Sequence, residues 1–388
     1  MKKLLLLFLL AFLAVPIASA EESVVTLTTT LDEGASIKLY TWADSMDDAF
    51  TIDWGDGVEK IYNKVKPSWT YGSEITGKLG ASKTITIKGD ITYLEIREMQ
   101  ISAATFANTK LKEVDMEKNQ LTDFNLSGLP AVTKLSLNEN SIVTFSSTGN
   151  SVLKNLGLKS NKIDSHQFEI SSLANSLEQL NVSGNGENFV ALNLINFDKL
   201  QYFTANDNSE LTTVVFYDGS TNLKQISMNN CHIMHFYAIS LPNLSSLNLS
   251  NNALLDFENG TYPKLSTLSV NGNYLSEIDV TKFPKLFSFD CSSNQLTDIN
   301  VANNPELNYF NCGNNKLTSV DVSTNKELGS LLVNGNPLSR IDISNNESLG
   351  TINISDTQIS YIDLTKALYL RDFRAANTLC PFFYFNYV

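Results

Sequence analysis

The sequence predicts a β-rich solenoid: a right-handed coil of about 14 turns with a parallel concave sheet and a thin extended or 3-10 convex side, preceded by a small β-domain or cap. Three observations predict it. One apolar pattern recurs every 21 residues through the C-terminal half. A second apolar pair follows it in each later turn, on what must be the far side of the coil. Before residue 89 the pattern is missing, and short alternating segments take its place.

The pattern is clearest at Leu244, Leu247, Leu249, Asn252 and Leu254, which return as Leu265, Leu268, Val270, Asn273 and Leu275. It continues through Asn294, Asn315 and Asn336 to Thr357 and Thr378. This is the L-x-x-L-x-L-x-x-N-x-L signature of a leucine-rich repeat. Its alternating part makes a short strand buried on one face, and the Asn turns the corner by bonding to backbone groups inside the coil. No single turn can bury its own apolar face, so turns must stack. The first turn is Ile91, Leu94 and Ile96, with Met99 in place of the Asn, and corners follow at Asn119, Asn140 and Asn161. The spacing then loosens to 24 residues at Asn185 and 23 at Asn208 and Cys231, which predicts small outward bulges. Fourteen corners at about 4.8 Å per turn give a coil roughly 65 Å long.

On the far side, Ile278/Val280, Ile299/Val301, Val320/Val322, Ile341/Ile343 and Ile362/Leu364 alternate around a polar residue. A 21-residue turn has no room for a helix beside two such segments, so the back is expected to be extended or 3-10. Pro130, Pro242, Pro263, Pro284 and Pro305 each fall eleven residues after a corner, where a fixed φ and a missing N–H do no harm. The row Asp279, Asp321, Asp342 and Asp363, interrupted by Asn300, invites a calcium reading. Capping of the turn that follows is the preferred one, because Asn keeps the acceptor oxygen without the charge.

Residues 24–28, 36–40, 50–54, 58–62 and 83–87 alternate like strands. Between them, Asp53-Trp54-Gly55-Asp56-Gly57 is read as a Gly-bearing hairpin turn with hydrogen-bonding Asp side chains, ahead of a cation site. Met1 to Ala20 has the form of a secretory signal: Lys2 and Lys3, an apolar run from Leu4 to Val15, then Ala18-Ser19-Ala20. The expected layout is therefore a signal over 1–20, a β-domain or cap over 21–88, the repeats over 89–380 and a tail over 381–388. The chain is expected to be secreted or held at the cell surface, with no membrane insertion after cleavage, because no second apolar run is long enough to span a bilayer.

The formal charge of −13 argues against nucleic acid and anionic membrane surfaces, which need basic patches. Four Cys do not make a disulfide scaffold. Cys291 and Cys312 share one buried slot on neighbouring turns, and Leu and Val fill it elsewhere, so two core thiols are expected rather than a bridge. No catalytic constellation, cofactor loop or metal site is read from the chain. Cys231, His232 and His235 lie close in sequence, but Cys231 holds a corner position that points it into the coil.

Recognition is expected on the concave face, at the positions six, four and two before each corner. The candidate set is Glu113, Asp115, Glu117, Lys134, Tyr202, Asn248, Asn271, Asp290, Tyr309 and Asn311. The late turns are small, polar and nearly uncharged there, and aromatic or Arg anchors are confined to Tyr93, Tyr202, Tyr309 and Arg374. A protein partner is the first expectation. A glycan held by the Asn/Ser/Tyr face, or a spacer role in a surface assembly, stands as the alternative.

The strings Asn294-Gln295-Leu296-Thr297-Asp298-Ile299-Asn300-Val301 and Asn315-Lys316-Leu317-Thr318-Ser319-Val320-Asp321-Val322-Ser323 resemble internalin-like bacterial leucine-rich repeat surface proteins, above all the Bacteroidetes type reading N-x-L-T-x-I-D-V-S. The resemblance covers about three quarters of the chain. It implies an adhesion or recognition role in general terms. The segment Asp53 to Gly57 is similar to the W-x-x-G-D-G region of PKD-type domains. The family often carries a C-terminal anchor; here Phe382, Phe383, Tyr384 and Phe385 are expected either to cap the open end of the core or to mark an incomplete chain.

Overall fold

A computed structural model describes residues 22–44, 49–63, 74–216, 221–236, 240–257 and 260–380. The expected signal and the tail at 381–388 lie outside the described residues. Among those described, no helix is long and apolar enough to cross a membrane.

Fourteen strands of three residues, from Tyr93–Glu95 to Asp372–Arg374, pair in parallel and form one face of the coil. Fourteen strands are separated by thirteen turns, so the solenoid has about 13 full turns. The leucine pattern dictates the register. Leu247 pairs with Leu268, Leu268 with Phe289, Phe289 with Phe310, and Phe310 with Leu331, each 21 residues on. The central residue of each of these strands is fully buried, and the Phe289 and Phe310 rings stack with centroids 5.7 Å apart. One apolar core therefore runs from Val25 to Ala367.

The corner asparagines act as expected. Asn294 Nδ2 donates to the Val270 carbonyl of the previous turn at 2.9 Å and to the Cys291 carbonyl of its own at 3.1 Å. Its Oδ1 accepts the Leu275 N–H at 3.0 Å. Cys231 replaces one of these asparagines with a weaker bond, from Sγ to the Ala205 carbonyl at 3.1 Å. The residue before every corner is left-handed, from Glu98 (φ 58°) to Asn377 (φ 53°). From Asp207 onward that position is Gly, Asn or Asp, apart from Ser293, which is the composition a positive φ favours.

The back of the coil is extended but changes character along its length. Asp123–Asn125, Thr144–Ser146 and Phe168–Glu169 form a short parallel sheet, and Ala191–Asn193 pairs with Thr213–Val215. Two 3-10 turns, Ser165–Gln167 and Ser171–Leu173, lie in the longer repeats. Phenylalanines fill the interior behind them, with Phe203, Phe216, Phe236, Phe257 and Phe283 in ring contact in sequence. In the later turns the described back residues form no strand, and the backbone is satisfied locally. Ser323 N–H bonds the Asp321 carboxylate at 2.9 Å, Asn325 N–H the Val322 carbonyl at 3.0 Å, and Leu328 N–H the Asn325 carbonyl at 3.1 Å.

A second ladder, Asn304, Asn325 and Asn346, is fully buried inside this side. Each Nδ2 donates to two backbone carbonyls of the preceding turns, as Asn325 does to Val301 at 3.0 Å and Asn304 at 2.8 Å. Each Oδ1 is buried without a partner among the described residues.

At the N-terminal end an antiparallel sheet has the order Glu59–Tyr62, Phe50–Asp53, Thr84–Lys88, Val24–Thr29, Ile101–Ala107. The last of these strands belongs to the first turn of the coil. The concave sheet is extended in the same way: Tyr93–Glu95 pairs antiparallel with Ser36–Trp42, which pairs with Glu74–Lys78. Both faces of the first turn are thus continued by hydrogen-bonded strands, so that end of the coil has no bare core. At the first corner, where Met99 cannot bond, the Thr29 hydroxyl donates to the Met99 carbonyl at 2.7 Å.

The strand Glu74–Lys78 was not expected from the sequence, because Gly77 weakens strand propensity. The structure supplies the reason for the glycine: a Cβ at that position would lie 2.1 Å from the buried Trp54 ring. The turn after Phe50–Asp53 is a hydrogen-bonded one, with Asp53 Oδ1 accepting the N–H groups of Gly55 at 2.8 Å and Gly57 at 3.0 Å.

Candidate functional site: the concave face

All ten candidate residues lie on the solvent side of the parallel sheet, flanking its buried central side chains. Glu113 and Asp115 flank Val114, Lys134 precedes Leu135, Tyr202 precedes Phe203, Asn248 follows Leu247, and Tyr309 and Asn311 flank Phe310. Asp290 ends the strand Ser288–Asp290, while Glu117 and Asn271 stand two residues beyond their strands. Lys134 and Tyr202 are exposed and the other eight are half-buried.

In the late turns the polar groups are committed to one another. Asn248 Oδ1 accepts the Ser250 N–H at 3.0 Å and hydroxyl at 2.7 Å, and the same hydroxyl lies 2.6 Å from Asn271 Oδ1. Asp290 holds Ser292 in the same way, at 3.0 Å and 2.6 Å, and takes a bond from Asn311 Nδ2 at 3.0 Å. Tyr309 stands over this pair, and partial burial, followed by the nearby Asp290 charge, pushes its phenol up. A face already bonded in this way has few groups to offer a ligand.

The first turns are different. Arg97 contacts three carboxylates: Asp115 directly, Glu95 at 3.4 Å and Glu117 at 3.8 Å. Glu117 also accepts bonds from Asn138 Nδ2 at 2.6 Å and from the Ser136 hydroxyl. Burial raises the Asp115 carboxyl above its usual value, against the pull of Arg97. Lys134 reaches Glu113 at 3.7 Å. Beside this network Tyr93 stacks flat on Trp42, centroids 3.8 Å apart, and bonds Glu95. Trp42, Glu95 and Arg97 were absent from the candidate set. Glu95 and Arg97 hold the same two positions before Met99 that Asp115 and Glu117 hold before Asn119, so the repeat itself places them on this face, while Trp42 lies outside the repeat.

Between these two regions lies a depression of about 310 Å³. Its floor is Leu135, Leu156 and Leu180, and Lys134, Asn155, Gln179 and Tyr202 stand around it. Gly157 leaves it open: a Cβ there would approach Asn138 Oδ1 to 3.0 Å. Tyr202 is 39% exposed, and the Lys224 ammonium sits 5.9 Å from its ring centroid. His235, which the sequence placed near Cys231, instead bonds Asp256 at 3.0 Å, while Cys231 faces inward to the Ala205 carbonyl.

No family model matches the chain, and no curated protein matches it in sequence. Solved structures do match. The functional domain of InlJ from Listeria monocytogenes superimposes with a TM-score of 0.64 at 22% identity, over 77% of this chain and 66% of that one, just under two thirds of its length. The internalin InlF from the same organism gives 0.53 at 20% identity, over 76% and 82% of the two chains. YopM, a leucine-rich effector protein from Yersinia pestis, gives 0.54 at 18%, over 75% and 84%. At these identities the likeness is one of fold. The chain is a leucine-rich repeat solenoid with distant structural similarity to internalins and other such proteins, a fold that typically serves as a protein-binding module and is usually non-catalytic.

Proposed function

We propose that the chain is an exported recognition module, secreted or held at the cell surface, that binds a protein partner through its concave face between Glu113 and Tyr309. The observation that carries this reading is the depression at Tyr202. It combines an apolar floor, an exposed aromatic ring and two lysines on a sheet whose later turns are bonded internally. Aromatic side chains set in partly desolvated hollows are the usual anchors of protein interfaces. The charged network around Arg97 adjoins it and supplies polar specificity. Export rests on the signal-like sequence of residues 1–20.

The experiment is capture of extracellular proteins on the immobilised mature chain beside a glycan array, with each hit titrated against wild type and a Tyr202→Ala variant. A protein whose affinity falls with Tyr202→Ala supports the reading. Saturable glycan binding with no Tyr202-dependent protein hit overturns it in favour of a glycan-binding module.

A further inference from the structure

We infer that the back of the coil carries a second docking surface, which takes a lysine- or arginine-rich segment of a protein partner. A groove of about 630 Å³ crosses three successive turns there. Phe257, Ile278 and Ile299 form its floor, and Leu255 stands beside it, 57% exposed. One wall is the row Asp256, Glu277 and Asp298, which recurs at 21-residue intervals and so lies side by side on adjacent turns. Across the floor, Asp279 is oriented by the Thr281 N–H at 2.9 Å and hydroxyl at 2.5 Å.

At several other places neighbouring turns set a lysine beside a carboxylate, as in Lys118–Glu98 at 3.0 Å, Lys134–Glu113 at 3.7 Å and Lys285–Glu306. The row Asp321, Asp342 and Asp363 also stacks carboxylates, but each of those is bonded to a backbone N–H of its own turn. In the groove wall three carboxylates follow one another at a strand spacing of about 4.8 Å. His235 meets Asp256, but neither Glu277 nor Asp298 has an ion-pair partner among the described residues. Like charges so placed repel, and cations from a partner would relieve them. The apolar floor decides what kind of cation. Lysine and arginine lay methylene stems on apolar surface while their head groups reach the carboxylates. A bare metal ion has no use for Phe257 or Ile299, and no three acidic, His or Cys groups among the described residues are arranged to hold one. The overall charge of −13 also draws basic segments in. The groove lies on the opposite side of the coil from Tyr202, so this inference stands independently of the concave-face reading.

The test is fluorescence anisotropy of a short labelled peptide of alternating lysine and leucine, titrated with the mature chain. Glu277→Gln with Asp298→Asn is expected to weaken binding by about tenfold, and Leu255→Ser by about threefold. Asp123→Asn with Glu139→Gln, two exposed acids remote from the groove, should leave it unchanged. Melting temperatures of all variants check that the coil is intact. The proposal is overturned if the wild-type chain does not bind, or if the remote pair weakens binding as much as the groove pair. It is also overturned if a lysine-only peptide binds equally well, or if calcium displaces the peptide and raises the melting temperature only while Glu277 and Asp298 are present.

Discussion

Asn315 Nδ2 lies 3.0 Å from the carbonyl oxygen of Cys291, one full turn back along the coil. The same amide donates to the Cys312 carbonyl at 3.0 Å, and its Oδ1 accepts the Leu296 N–H at 3.0 Å. The side-chain amide of Asn325, on the other side of the core, donates twice, but its Oδ1 accepts nothing among the described residues. Asn315→Ala should therefore cost about 3 kcal/mol, since it strands a donor and acceptors together. Asn325→Ala should cost less, because the orphan acceptor is removed with the donor. Urea unfolding of the two variants checks the order; equal losses would mean that the corner bond to Leu296 carries no weight.

Gly77→Ala sets a methyl group against the Trp54 ring, so the strand Glu74–Lys78 must move or the indole must tilt. The expected loss is about 1–3 kcal/mol, the usual range for overpacking. Gly57→Ala, where a Cβ meets open space, should cost only the strain of its positive φ. Near-ultraviolet circular dichroism of Trp54 would register the first change and not the second.

The carboxylates of Asp321, Asp342 and Asp363 each accept the backbone N–H two residues on, at 2.9 Å. These bonds hold all three below the usual carboxylate value of 3.8. A lowered folded-state value means that the stabilisation is present above the unfolded value of 3.8 and is lost as pH falls through the folded one. The triple Asp→Asn variant keeps the acceptors and should show a flatter melting temperature below about pH 4. Asp342→Ala should lower the melting temperature at neutral pH while Asp342→Asn does not, and calcium should leave both unchanged. A large rise with calcium, abolished equally by Asn and Ala, would make this row a cation site.

Tyr202→Ala with Tyr309→Ala should weaken a protein partner about tenfold or more without changing the melting temperature, because both rings stand on the outer face of the sheet. Surface plasmon resonance measures the first and calorimetry the second. Normal binding by this variant, with binding abolished by a substitution on the convex side, would place the partner on the other face.

Burial of cysteine has a chemical reading as well. Cys291 and Cys312 are free, fully buried thiols, and burial pushes both well up; Cys231 is pushed up to about 11. In the folded chain all three should resist iodoacetamide at neutral pH and become reactive on unfolding, as mass spectrometry can follow.

The coil was legible because its information is periodic: Leu247, Leu268 and Phe289 repeat a constraint that any one of them would express weakly. The concave positions followed from strand alternation alone. What escaped depended on contacts distant in sequence. Gly77 makes sense only beside Trp54, and Arg97 only beside the carboxylates of Asp115 and Glu117 on the next turn. The Asn304 ladder was visible as an Asn every 21 residues but was overshadowed by the stronger corner series, and the left-handed residues before the corners carry only a loose preference for Gly, Asn and Asp.

From Ser246–Asn248 to Asp372–Arg374 every strand meets the next at an offset of 21 residues, with no slip. A deletion of one such unit would return each remaining residue to an equivalent neighbour, whereas a deletion of another length would have to be taken up locally in a turn, as the 23- and 24-residue repeats are in the other half. Gene rearrangement can thus lengthen or shorten this molecule in whole units, each changing its reach by about 4.8 Å. The strictly regular half is in that sense an adjustable ruler, and the irregular half, with its charged network and its hollow at Tyr202, is where a change of length would disturb what the molecule touches.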